Sequence, residues 1–225
     1  MHSSRRIARA AAAVLMLGTL ACRATKPPAR ITVRRPNEIE FAATVHARAF
    51  DAGWMMPGYH AVVSKSGRMS HAALLRAEPT DTEILDALES LAGPARGNLP
   101  MDAWEKRKDP RNPEPDRFVE GPAVEILLRL PGKAELTPLA AVLQDPGGRG
   151  LDLRLAGNRA NISKWMSGCV VCLYSCPGGK IGNARYTVRD WSRKVTRFLA
   201  RPGALPADGT RVGVVVRLRT VVSRS

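Results

Sequence analysis

Apolar runs in this chain are short, and they repeatedly end in glycine or proline turns. Such punctuation leaves little room for long helices and points to strands that double back, so an antiparallel sheet is the expected framework. Residues 30 to 34 and 39 to 49 read as two extended runs around Pro36-Asn37, and His60 to Ser66 with Ala72 to Ala77 as a second pair around Ser66-Gly67. Extended character returns at Ala123 to Leu130, toward Val142, at Leu151 to Leu155 and at Val212 to Val222. One segment behaves differently. Thr80-Asp81-Thr82-Glu83 is a capping box, after which Ile84, Leu85, Ala87, Leu88 and Leu91 recur at helical spacing until Gly93-Pro94. The expected fold class is α+β, a mainly antiparallel β-sheet with one helix, residues 80 to 92, packed on it. A chain of 225 residues buries a core without disulfide staples, so its four cysteines call for another explanation.

The first cysteine belongs to the N-terminal segment. Arg5, Arg6 and Arg9 precede an apolar stretch from Ala10 to Leu20 and the small residues before Cys22, which is the form of an export signal. The ending Gly18-Thr19-Leu20-Ala21-Cys22 resembles the lipobox of bacterial lipoproteins, in which the cysteine becomes the lipid-modified first residue. The stretch is too short to span a bilayer. The expected organisation is a signal peptide over 1–21, a lipidated tether over 22–30 and a single domain over 31–225. That domain carries a proline-rich loop at 94–117 and a cysteine-rich loop at 165–187. The expected location is the bacterial cell envelope, exported and held by the lipid on the periplasmic face or the cell surface.

Charge narrows the partners. The formal net charge is +15, and residues 151–225 concentrate it, with fourteen basic residues against three acidic ones. A surface of this kind suits an anionic ligand or an envelope protein partner in addition to the membrane. Nucleic acid is not expected, because an exported protein does not meet it routinely and no aromatic-rich binding motif accompanies the charge.

The chemical centre is Gly168-Cys169-Val170-Val171-Cys172-Leu173-Tyr174-Ser175-Cys176-Pro177-Gly178-Gly179-Lys180. Its C-x2-C-x3-C-P spacing equals the last three cysteines and the proline of the bacterial ferredoxin run, whose thiolates wrap an iron–sulfur cluster. The missing first ligand falls on Met166, so one chain lacks a complete four-thiolate set. The same residues support other chemistry. Cys169, Cys172 and Cys176 with Met166 suit a soft ion such as Cu(I), and His46, His60 or His71 could complete a zinc site. Alternatively Cys169 and Cys172 form a C-x-x-C redox pair, making the protein a thiol–disulfide oxidoreductase, with Lys180, Arg185 and Arg189 lowering thiolate pKa. A structural disulfide in an interaction module is the third reading. No G-x-S-x-G, H-E-x-x-H or phosphate-loop motif is present, which leaves open whether the protein is an enzyme.

The stretch from Ser167-Gly168-Cys169 through Cys176-Pro177, followed by Gly182-Asn183-Ala184 and Tyr186-Thr187, resembles the YdjY-like family of bacterial envelope proteins. Its members carry a similar C-x2-C-x3-C-P element and a following N-A-x-Y-T stretch. Gly67, His71, Leu74, Pro79, Ala87-Leu88, Leu91 and Gly93 look like that family's N-terminal half. The resemblance implies a shared domain over most of residues 40 to 220, with the cysteines at its centre and a ferredoxin-like description attached to their spacing. It implies no particular reaction.

Overall fold

The computed structural model describes residues 30–53, 55–96 and 99–219. The expected signal peptide, the lipidated Cys22 and the tether up to residue 29 lie outside the described residues. Twelve strands are found among those described: β1 (Ile31–Arg34), β2 (Glu38–Val45), β3 (His60–Ser64), β4 (Ala73–Ala77), β5 (Ala123–Arg129), β6 (Thr137–Pro138), β7 (Leu143–Gln144), β8 (Leu153–Leu155), β9 (Cys169–Cys172), β10 (Ile181–Asn183), β11 (Leu199–Ala200) and β12 (Arg211–Leu218). Helices are α1 (Ala47–Ala52), α2 (Asp81–Ala92), α3 (Asp102–Glu105), α4 (Ile162–Trp165) and α5 (Val188–Ser192).

Eight strands close into a barrel in the order β2-β12-β5-β8-β10-β9-β3-β4, with β4 returning to β2. This corrects the expected sheet with one helix packed on it: the molecule is mainly β, and its sheet closes on itself, so that the core lies chiefly inside the barrel and not under a single helix. Closure depends on β2, whose Ala43–Val45 end pairs with β4 while its Glu38–Phe41 end pairs with β1 along the same edge. Such division of one strand between two partners is a long-range event that local turn signals do not encode. Two neighbouring pairs, β3–β4 and β9–β10, are parallel. The second expected hairpin, around Ser66-Gly67, is therefore a parallel pair joined by a short connection containing the 3₁₀ turn Ser70–Ala72.

Local chemistry explains the elements that matter for the site. Along β2 burial alternates strictly, placing Ile39, Phe41, Ala43 and Val45 in the core, as a strand with one wet face requires. Helix α2 begins where its capping box predicts. Thr80 Oγ1 accepts from the Glu83 amide at 3.1 Å and Glu83 Oε2 accepts from the Thr80 amide at 2.7 Å. It packs on β1, β2 and β9, burying Ile84, Leu85 and Leu88. Among the described residues no helix is long and apolar enough to cross a membrane.

Candidate functional site

Strand β9 carries the first two cysteines of the cluster where a loop is expected. In a regular strand, residues three apart face opposite sides and lie about 10 Å apart, so Cys169 and Cys172 should not meet. Here their Cα atoms are 6.6 Å apart. The pairing of β9 with β3 runs His60↔Cys172, Val62↔Val171 and Val63↔Cys169, with register shifts at both steps. A bulged ladder of this kind re-aims side chains, and both thiols turn to the same imidazole. His60 Nδ1 lies 3.2 Å from Cys169 Sγ and 3.8 Å from Cys172 Sγ. The three donor atoms are all within 4.8 Å of one another and all three residues are buried. The two sulfurs are paired with each other at disulfide distance.

Bare backbone holds this geometry. A Cβ on Gly67 would meet Ser167 O at 2.4 Å and Gly168 Cα at 2.5 Å, so the β3–β4 connection presses directly on the turn that leads into Cys169. Gly168 itself has φ +70°, a conformation open to glycine. On the other side, a Cβ on Gly179 would lie 3.0 Å from Cys172 Sγ. The Gly178-Gly179 pair thus lets the chain lie against Cys172 and the Trp165 ring. Asn158 Nδ2 donates to the carbonyls of Cys176 and Gly179, and Asn161 Nδ2 donates to Pro177 O, clamping the loop from behind.

His60 is 3% exposed, and burial with the nearby His71 charge pushes its pKa down from 6.5 to about 3. Its ring is neutral across the physiological range, which is the form that offers a lone pair to a metal or accepts a proton from a thiol. Its Nε2 is buried without a hydrogen-bond partner among the described residues. Burial costs of this kind are tolerated mostly at sites of function. Cys176 stands outside the three-donor group. Burial pushes its thiol pKa up, partly opposed by the Tyr59 hydroxyl, the Gly178 and Gly179 amides and the Lys180 charge.

The remaining residues singled out by sequence fall into different places. Lys180, 1% exposed, pairs with Asp81 at 2.9 Å and donates to Gly178 O, so it ties α2 to the cysteine loop. Burial lowers its pKa more than Asp81 raises it. Arg189 is buried too, but it binds Asp116 at 2.8 Å and the carbonyls of Asp109 and Asn112, pinning the proline-rich segment. Arg185 is exposed, with its carbonyl accepting from Arg149. Met166 is 47% exposed in a left-handed conformation at the end of α4, His71 is exposed on the 3₁₀ turn, and His46 precedes α1. None of these three belongs to the three-donor group.

In front of the group lies a pocket of about 360 Å³ reached by His60, Cys169 and Cys176 but not by Cys172. Tyr59, Trp104 and Trp165 form aromatic walls, and the thioethers of Met56 and Met69 line the same space. Trp104 stacks on Trp191 at 5.2 Å and Tyr59 on Tyr174 at 4.8 Å, which makes the walls rigid. Met56 is held at φ +51°, a strained setting for a residue other than glycine. These pocket residues carry no spacing signal in sequence, because four separate segments supply them.

The sequence matches the family model of the YdjY domain over residues 34–217. The chain belongs to the YdjY family. It is 30% identical over 160 residues to the uncharacterized protein YdjY of Escherichia coli (strain K12), covering 71% of this chain and 67% of that protein. No solved structure matches it. Within this YdjY domain a four-thiolate iron–sulfur cluster does not fit. Such a cluster needs four thiolates, while among the described residues only Cys169 and Cys172 converge and the third group beside them is an imidazole. His60, Cys169 and Cys172 are the candidate ligand set among the described residues, with both sulfurs open to an ion only when they are not bonded to each other.

Proposed function

We propose that this YdjY domain is a soft-metal-binding module of the cell envelope, which in its reduced state holds one Cu(I) ion through His60 Nδ1 and the thiolates of Cys169 and Cys172. The observation that carries this reading is the convergence of three buried donors within 4.8 Å, with no carboxylate among them. Thiolate and imidazole ligands select soft or borderline ions. Structural zinc sites are almost always four-coordinate, so a three-donor set with no fourth His, Cys or carboxylate converging on it among the described residues favours Cu(I). The neutral His60 ring binds without proton competition, and the thioethers of Met56 and Met69 give the approach soft character. The leader and Cys22 support export and a lipid anchor, which would place the domain on the membrane with the envelope as its compartment.

A second reading rests on the sulfur pair. Cys169 reaches the pocket and Cys172 does not, which is the arrangement of an attacking and a resolving thiol. In exchange, the Cys169 thiolate would attack a partner's disulfide and release one partner thiolate. Cys172 would then break the mixed disulfide, leaving Cys169–Cys172 oxidised and the partner reduced. Oxidation and metal binding use the same sulfurs and exclude each other.

Anaerobic reduction of the full protein followed by Cu(I) titration against a chromophoric chelator tests the first reading. One equivalent should bind tightly in the parent and in Cys176→Ser, and binding should fall at least about a hundredfold in Cys169→Ser, Cys172→Ser and His60→Phe. Absence of binding in the reduced parent, or equal binding in Cys169→Ser, would refute it. Reduction of a model disulfide that depends on Cys169 in copper-free protein would instead establish exchange.

A further inference from the structure

On the far side of the Tyr59, Trp104 and Trp191 cluster lies a second cavity, of about 540 Å³. Pro57 and Trp191 line it, together with four cationic side chains, Arg107, Lys108, Lys194 and Arg197. Among the described residues none of these four enters a salt bridge, although sixteen such pairs form between other described residues. The residues lining this hollow include four cations and no carboxylate.

Their local settings point the same way. Arg107 is fixed with its guanidinium 4.2 Å from the centre of the Trp104 ring and one Nη donating to Trp104 O, and its Nε is buried with no hydrogen-bond partner. Arg197 donates to the Asp51 carbonyl, and the Asp51 carboxylate accepts from the Ala200 amide and forms no salt bridge with Arg197. Lys194 has φ +57°, a left-handed conformation that is uncommon outside glycine and asparagine and that places a charged residue in a tight turn after α5. Like charges gathered in a concave, partly apolar space repel one another unless an anion joins them. Guanidinium groups offer forked donors that match phosphate oxygens, and ammonium groups add point charge.

We propose that this cavity is a binding site for phosphate-bearing ligands, separate from the His60, Cys169 and Cys172 group and independent of the metal reading. Phosphate is favoured over a single carboxylate because one negative charge would leave most of the four cations uncompensated. The phosphate could be that of a soluble ester or of an anionic lipid head group, and the two sources share the chemistry while differing in the test.

Calorimetric titration of the full protein with inorganic pyrophosphate at low ionic strength should show one saturable site, and sedimentation with phosphatidylglycerol vesicles should be compared with phosphatidylcholine vesicles. The variant Lys108→Gln/Lys194→Asn removes two charges, with asparagine chosen because it tolerates the left-handed turn. It should bind pyrophosphate about tenfold more weakly or worse. The control Lys65→Gln/Lys133→Gln lowers net charge equally at a distance and should bind like the parent. Pyrophosphate should also protect Lys108 and Lys194 of the unaltered protein from acetylation, a readout that does not depend on any variant folding. Pyrophosphate binding with no vesicle selectivity assigns the site to soluble phosphates. Selective vesicle binding that pyrophosphate competes away, and that the groove variant loses, assigns it to lipid. No saturable binding and no selective vesicle binding, an equal loss in the control, or labelling of the two lysines unaffected by pyrophosphate would overturn the proposal.

Discussion

The wall formed by β2 and β12 and the wall formed by β3 and β9 belong to one barrel and follow different rules. In the first, eight-residue strands pair in continuous register, β2 buries alternate residues, and the wall's polar side chains form ion pairs such as Glu38 with Arg217 and Glu40 with Arg129. In the second, every residue of β3 and β9 is buried, the register shifts twice, and an imidazole and two cysteines occupy positions that a stable core would give to valine or leucine. One sheet thus keeps regular register along one wall and departs from it along the other, and the candidate site lies in the departure. The bulged wall is retained despite a buried, unpartnered ring nitrogen, which sets it apart from the regular wall.

The contrast can be broken at either wall. Val214 is fully buried on β12, and Val214→Asp should abolish the regular wall, costing about 5 kcal/mol or more because the carboxylate has no partner there; thermal melting would show loss of the cooperative transition. Retention of the parent's melting point would place Val214 outside the core.

The second largest effect belongs to the irregular wall and depends on pH. The pKa of His60 is about 3 in the fold against 6.5 for the free side chain, so the unfolded chain binds the extra proton between these values. Stability of the metal-free protein should be complete above about pH 6.5 and fall as pH drops toward 3, by on the order of 4 kcal/mol from this group. Denaturant titrations across that window should show the slope in the parent and a flatter one in His60→Gln. Identical slopes would mean that His60 is not held neutral.

Smaller effects sharpen the picture. Gly67→Ala forces a Cβ into the Ser167–Gly168 backbone and should cost about 2 kcal/mol while weakening copper binding, since the displaced turn carries Cys169. Equal copper affinity in that variant would uncouple the turn from the site. Thr80→Ala removes one cap of α2 at a residue outside the three-donor group, and should cost only about 1 kcal/mol in chemical denaturation with metal affinity at the parent's level.

What could be read in advance follows the range of each interaction. The capping box at Thr80 and Glu83 is local, so α2 was legible almost to the residue, and the first pair of strands around Pro36-Asn37 was legible for the same reason. Barrel closure was not, because it rests on Ala43 meeting Ala77 and Val45 meeting Leu75 across a long loop of chain. The importance of the cysteines was visible in their spacing. Their partner was less so: His60 was one of three histidines offered for zinc, and only the register shifts between β3 and β9 bring its ring to both sulfurs. Sequence makes Lys180 a basic neighbour of the thiols, whereas its pairing with Asp81 at the start of α2 depends on tertiary packing.

The central claim is that the irregular wall presents two thiolates and one imidazole to a single ion. X-ray absorption at the copper edge, on the full protein reduced and loaded anaerobically with one equivalent of Cu(I), tests it most directly. The account predicts two sulfur scatterers and one nitrogen scatterer with the multiple-scattering signature of imidazole, and loss of that signature in His60→Phe. A first shell of sulfur alone, or an unchanged spectrum in His60→Phe, would contradict it.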